Sequence, residues 1–212
     1  MTPKVIIFDF DGTIADTVDA LVTIANRLAV EFGYVQITSE ELALLKNFTS
    51  REIIKYSGIS LFKIPFLLKK VKGELKHKIH ELKPIEGIDA ALIELHNQGY
   101  RLGIITSNSQ DNVTAFLENN QLEQLFDFIY SGVTIFGKTT IINNVLRQKQ
   151  IKTEAVVYVG DETRDIEASR KANIKVIAVT WGFNSPEALA KQNPDFLIHK
   201  PSELLDVMAV LS

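Results

Sequence analysis

The chain contains no cysteine, which rules out a disulfide framework and a thiolate metal site. No apolar run approaches the roughly 20 residues needed to cross a bilayer. The start lacks a charged segment leading into an apolar stretch, so a cleaved leader is not expected and a cytoplasmic protein, away from membranes, is. Charge of one sign is also lacking. The 23 Lys and Arg against 26 Asp and Glu leave a formal net charge of -3, which argues against whole-protein attraction to nucleic acid. Internal repeats and low-complexity segments are absent. What is there is 212 residues with 46% hydrophobic composition, enough for one domain with a sizeable core, or one domain with a smaller insertion.

Four short runs rich in Val and Ile stand out: Val5 to Phe8, Leu102 to Ile105, Ala155 to Val159 and Val176 to Val179. Each is too short for a helix and is bounded by Gly, Asp, Ser or Thr. Strands of a parallel sheet look like this, because helices cover both faces and remove the polar alternation. Phe126 to Tyr130 and Phe196 to Ile198 are weaker candidates. Stretches of helical period lie between them. Ile88, Leu92 and Leu95 precede Gly99; Val113, Phe116 and Leu117 follow a candidate N-cap at Ser109; Ile141, Ile142, Val145 and Leu146 form a third stripe. Strands alternating with helices predict an open, mostly parallel α/β sheet of Rossmann type. One segment breaks the alternation. Residues 16–83 show helical patterns punctuated near Gly33, Gly58 and Pro65 and no convincing strand, which predicts a small helical insertion after the first strand. The expected organisation is a core of residues 1–15 and 84–212 with an insertion of residues 16–83.

The stretch Phe8-Asp9-Phe10-Asp11-Gly12-Thr13 carries the strongest chemical signal. Two aspartates, two apart, follow an apolar strand directly, so both carboxylates can leave on one side at the strand's carboxyl end. Close carboxylates repel and stay ionised only beside a cation or strong donors. A hard ion such as Mg²⁺ meets that need. A simple Asp-Gly turn would explain the dipeptide but not the whole string. Gly160-Asp161-Glu162-Thr163-Arg164-Asp165 repeats the logic after another strand, with Asp161 at the strand end and Asp165 one helical turn on. Acidic residues also favour helix N-termini, which accounts for one of these carboxylates but not for their pairing with the first motif. Thr106-Ser107-Asn108 closes a third strand with hydroxyl and amide donors suited to a phosphate, although helix capping is the commoner reason for such residues before a helix. Lys138, after Gly137, offers an ammonium at the start of a helix; a lone lysine is most often a solvated charge.

In this order, the four elements resemble the haloacid dehalogenase superfamily, and Val179-Thr180-Trp181-Gly182-Phe183 with Pro194-Asp195-Phe196 resembles its phosphoglycolate-phosphatase-like branch. The resemblance implies a phosphatase working through an aspartyl phosphate. Asp9 would be the nucleophile, and Asp11 the general acid and then base. Thr106 and Lys138 would hold the phosphoryl oxygens, with Ser107 and Asn108 as nearby donors. Asp9, the main-chain carbonyl of Asp11 and Asp161 would bind Mg²⁺, with Asp165 completing the shell and Glu162 as a further candidate. Asp11 also sets the chain apart from the superfamily's dehalogenases, which lack an aspartate two residues after the nucleophile. One departure stands out: Lys138 is followed by Thr139 where many relatives carry proline.

The insertion would be the family's cap, closing over the site to supply specificity. From Arg51 to Lys83, nine Lys or Arg face three Glu, about +6 in a chain of net -3; such a face suits a small anionic substrate or merely solvates a helix. Arg51, beside Thr49 and Ser50, is the candidate for a substrate carboxylate. His77 and His80 lack a third ligand and do not form a zinc site. The expected substrate is a small phosphorylated metabolite, 2-phosphoglycolate being the first to consider, and the protein is expected to be a monomer or homodimer. Two alternatives stay open: a sugar-phosphate mutase of the β-phosphoglucomutase type, using the same two aspartates, and a non-catalytic regulatory module on the same fold.

Overall fold

The computed structural model describes residues 4–132 and 137–211. Six parallel strands form one sheet: β1 (Val5–Phe8), β2 (Arg101–Ile105), β3 (Phe126–Tyr130), β4 (Val156–Gly160), β5 (Lys175–Val179) and β6 (Phe196–Ile198). Their order is β3-β2-β1-β4-β5-β6. The sheet therefore grows one way from β1 through β2 and the other way through β4, and the reversal lies between β1 and β4. Ligands of open α/β sheets bind at such a reversal, outside the carboxyl ends of the strands.

Every side chain of β1 is buried, as a strand covered on both faces requires. Ile6 and Phe8 face a core completed by α5 (Ile88–Asn97), α6 (Gln110–Asn119) and α10 (Glu203–Leu211). Val5 and Ile7 face the opposite core, against α7 (Lys138–Gln148) and α8 (Thr163–Lys171). A further helix, α9 (Pro186–Lys191), closes a small cluster beside β5.

Between β1 and β2 the chain forms α1 (Val18–Phe32), α2 (Ser39–Leu45), α3 (Ser50–Ser57) and α4 (Ile64–Leu75), and residues 16–83, all described, contain no strand. Gly33 and Gly58 end α1 and α3 in the left-handed conformation, and Pro65 opens α4. The short helices α2 and α3 each start from a capping box, with Thr38 paired to Glu41 and Thr49 to Glu52. These helices share their own apolar cluster of Ile24, Leu28, Phe32, Ile59 and Leu75. The chain leaves and returns side by side: Ile85 N–H donates to the Ile14 carbonyl at 2.9 Å and Asp16 N–H to that of Lys83 at 3.0 Å.

Candidate active site

Three adjacent strands deliver the site. Asp9 follows β1, Thr106 follows β2, and Asp161 follows β4, each at the carboxyl end beside the sheet's reversal. Asp9 is 1% exposed. Its Oδ1 accepts the Phe10 N–H at 2.8 Å and its Oδ2 accepts Lys138 Nζ at 2.7 Å. Lys138, 2% exposed, also donates to Asp165 and stands 5.3 Å from the centre of the Tyr158 ring. Burial works against the ammonium, but Asp165 and Asp9 outweigh it and hold Lys138 well above the ordinary lysine range. The lysine is thus a fixed charge beside Asp9.

Asp161 is held by neutral donors only, the Thr13 hydroxyl at 2.7 Å and the Phe183 N–H at 2.8 Å. Burial, followed by the charges of Glu162, Asp9 and Asp165, raises its carboxyl well above the ordinary range. Gly12, at φ +73°, and Gly182 give it room, since a Cβ at either would strike this carboxylate. Burial also raises Asp165, against the pull of Lys138, to about 6. One carboxylate oxygen each from Asp9, Asp161 and Asp165 lies within 4.8 Å of the others. Hard oxygen donors converge there with more negative charge than Lys138 balances, so the donor set fits a hard divalent cation such as Mg²⁺.

Asp11 opens onto a cavity of about 250 Å³ lined by Thr17, Leu21, Asp161, Glu162 and Phe183 among others. Asn108 Nδ2 donates to both its oxygens, at 3.0 and 3.1 Å. Burial first, and then the Asp9 charge, pushes its carboxyl up to about 7, while Thr17, Asn108 and Arg164 pull the other way. A carboxyl that titrates near neutrality can both give and take a proton.

All the sequence candidates except one gather here, though not all as expected. Thr106 is fully buried, and its Oγ1 accepts the Asn108 N–H at 3.0 Å. Ser107 lies beside it, half-buried. Asn108 commits its amide to Asp11 and to Asn112, which donates to its Oδ1 at 2.9 Å. Glu162 turns away from the three-carboxylate cluster to accept from Arg164 at 2.6 Å and from Ser50 at 3.4 Å. Arg51 stands apart on the outer rim, 68% exposed and 4.0 Å from Glu167. Sequence reading assigned no role to Thr13, Arg164 or Asn184, and counted Lys72 only within the basic run of the insertion. The first two lay inside the motifs it quoted; Asn184 carried no local mark.

A family model described as haloacid dehalogenase-like hydrolase matches residues 6–179. The chain belongs to the haloacid dehalogenase-like hydrolases. The phosphoglycolate phosphatase of Synechococcus elongatus is 38% identical over 98% of both chains. That of Vibrio cholerae is 27% identical over 98% of this chain and 97% of its own. The solved structure of a predicted phosphatase from Clostridium acetobutylicum shares the fold at a TM-score of 0.84 and 23% identity, covering 99% of this chain and 100% of the other. As a haloacid dehalogenase-like hydrolase the chain is an enzyme, a phosphatase. No described helix is long and apolar enough to cross a membrane.

Proposed function

We propose that this phosphatase hydrolyses a small phosphomonoester, with 2-phosphoglycolate as first candidate, through a phosphorylated Asp9. The observation that carries the reading is the pair at the end of β1: Asp9 aimed by the Phe10 N–H and Lys138, and beside it Asp11 with a carboxyl at about 7. In the first step an Asp9 oxygen attacks phosphorus, the ester P–O bond breaks, and Asp11 gives its proton to the departing alkoxide. In the second, water attacks the aspartyl phosphate, its proton passes to Asp11, and inorganic phosphate leaves with Asp9 restored. Lys138 neutralises charge on the phosphoryl oxygens from a fixed position. Thr106, Ser107 and Asn108 stand as the neutral donors on the β2 side. Asn108, bonded to Asp11, keeps the acid oriented between the steps.

Asp9 and Asp161, with Asp165 behind them and the main-chain carbonyl of Asp11, would hold Mg²⁺. When bound, the ion supplies positive charge against the transferring group. Residues 16–83 would act as a cap, their 16 and 83 ends hinged where the chain passes Ile14 and Ile85. Its helices put Val18, Leu21 and Val22 over the Asp11 cavity, where they would keep out water other than the attacking molecule. The names of the Synechococcus and Vibrio relatives point to 2-phosphoglycolate, and the small cavity suits a substrate of that size.

The test is phosphate release from a panel of small phosphomonoesters with and without Mg²⁺. Asp9→Asn is expected to lower turnover by at least about 10³-fold with its circular dichroism and melting curve preserved. Near-full activity in that variant would overturn the covalent route. Bisphosphate accumulating in place of free phosphate would mark a sugar-phosphate mutase instead.

A further inference from the structure

Tyr158 is a buried titratable group that stands beside the site without a part in either step. It lies on β4, three residues before Asp161, and is fully buried. Its register partner on β1 is Ile7, two residues before Asp9, and its ring packs in the core on the α7 and α8 face of the sheet. The strand order places β1 between β4 and β2. The Tyr158 hydroxyl nevertheless reaches the far strand, donating to the carbonyl of Ile105, the last residue of β2, at 3.0 Å. The side chain thus crosses the line of β1 close to Asp9 and ties together the two strands on either side of it. Burial raises the phenol well above its ordinary range, so the O–H keeps its proton and stays a donor. A phenylalanine would fill the same apolar space with no hydroxyl to satisfy, so packing alone does not call for a tyrosine.

Both parts of the side chain meet groups of the site. The carbonyl that accepts from the hydroxyl belongs to the residue before Thr106, whose own N–H donates to the Tyr130 carbonyl of β3 at 2.9 Å. Thr106 Oγ1 accepts the Asn108 N–H, which leaves its hydroxyl proton to donate. The ring lies 5.3 Å from Lys138 Nζ, within the range of a cation–π attraction. Lys138 already donates to Asp9 and Asp165. The ring adds a third contact that carries no charge, so the ammonium is steadied without being neutralised further.

We propose that Tyr158 is a positioning residue for phosphoryl transfer, fixing Thr106 through the Ile105 carbonyl and Lys138 through its ring. The assignment rests on the phosphatase reading above, in which Thr106 and Lys138 meet the transferring oxygens. Such a transfer depends chiefly on placing donors and charge about the phosphorus. Tyr158 and Asp161 share one strand end, so the hydroxyl donor, the ammonium and the carboxylate that would hold the metal keep a common reference.

The test is steady-state hydrolysis of p-nitrophenyl phosphate by the Mg²⁺-loaded protein, with the melting curve of each variant recorded beside it. Tyr158→Phe keeps the ring and removes only the bond to Ile105. It is expected to lower kcat about 3–10-fold, the usual effect of losing one neutral hydrogen bond, with KM changed less than about twofold. Tyr158→Leu removes the ring as well and is expected to lower kcat by about a further twofold or more. Coupling separates positioning from packing. In a Thr106→Ala background the hydroxyl has no donor left to place, so Tyr158→Phe is expected to add less than about twofold. An unchanged kcat in Tyr158→Phe, a loss carried by KM alone, or full additivity with Thr106→Ala would each overturn the role of the hydroxyl. A Leu variant as active as the Phe variant would overturn the part given to the ring. Absence of phosphate release from the wild type would overturn the phosphatase reading and this role with it, whereas failure of the role alone shows only in variants of an active wild type.

Discussion

Lys138 and the carboxylates around it show how single residues trade stability for chemistry. A lysine this deeply buried persists because Asp9 and Asp165 both accept from it, and breaking such a pairing commonly costs about 3–5 kcal/mol. Asp161 has no cation of its own among the described residues. With Asp11 near 7 and Asp165 near 6, the metal-free folded protein keeps protons that the unfolded chain, with carboxyls near 4, has released. Stability of that form is therefore expected to fall as pH rises from about 4 to about 7. A divalent cation binds only the ionised carboxylates, so it opposes the loss. The rise in Tm produced by Mg²⁺ should accordingly be larger at about pH 7.5 than at about pH 5, by roughly 4 °C or more. An increment that does not change with pH in thermal scans would mean that the carboxylates are ionised without the ion.

Loops that join elements decide how the insertion meets the sheet. Asn184, buried after β5, accepts the Thr163 N–H at 2.9 Å through Oδ1 and so braces the turn that carries Asp161. Its Nδ2 donates to the carbonyls of Lys46 at 2.9 Å and Phe48 at 3.0 Å, between α2 and α3. Ser185 adds its N–H to the Lys46 carbonyl at 2.8 Å and its hydroxyl to Asn47 at 2.6 Å. One amide thus joins the turn after β4 to the loop before Arg51. Asn184→Ala would remove three hydrogen bonds, each worth about 0.5–1.5 kcal/mol. Hydrogen exchange in residues 46–49 is expected to quicken by roughly 10–100-fold, with the strands unaffected. Unchanged exchange there would show that the loop is held by other contacts. The helices themselves were legible beforehand, in apolar spacing punctuated by Gly33, Gly58 and Pro65. The clasp was not, because Asn184 and Lys46 are 138 positions apart.

At the scale of the whole molecule, the paired cores on either face of the sheet and the cluster around Leu28 are distinct but joined, because Leu82 packs against both the Ile6 core and that cluster. A cluster of its own is expected to let the helical insertion loosen before the sheet unfolds. Leu28→Ala is expected to cost about 2–5 kcal/mol, with exchange quickening within α1 and α4 while β1 and β4 stay protected. Uniform loss of protection across the sheet would show that the chain unfolds as one unit.

What the sequence determined by itself was local in origin. Buried parallel strands are marked by their own composition, and the residues that follow them necessarily stand at their carboxyl ends, so Asp9, Thr106 and Asp161 could be placed together from three short motifs. The helical character of residues 16–83 was local in the same way, written in apolar spacing punctuated by glycines and a proline. Tertiary structure alone decided who partners whom. It joined Lys138 to Asp9 across 129 positions, turned Glu162 toward Arg164 and Asn108 toward Asp11, and drew Lys72 inward from a run of lysines whose neighbours Lys70 and Lys76 pair at the surface. Charge and hydrogen-bonding capacity are visible in a sequence, but which groups neutralise each other depends on packing between elements distant along the chain.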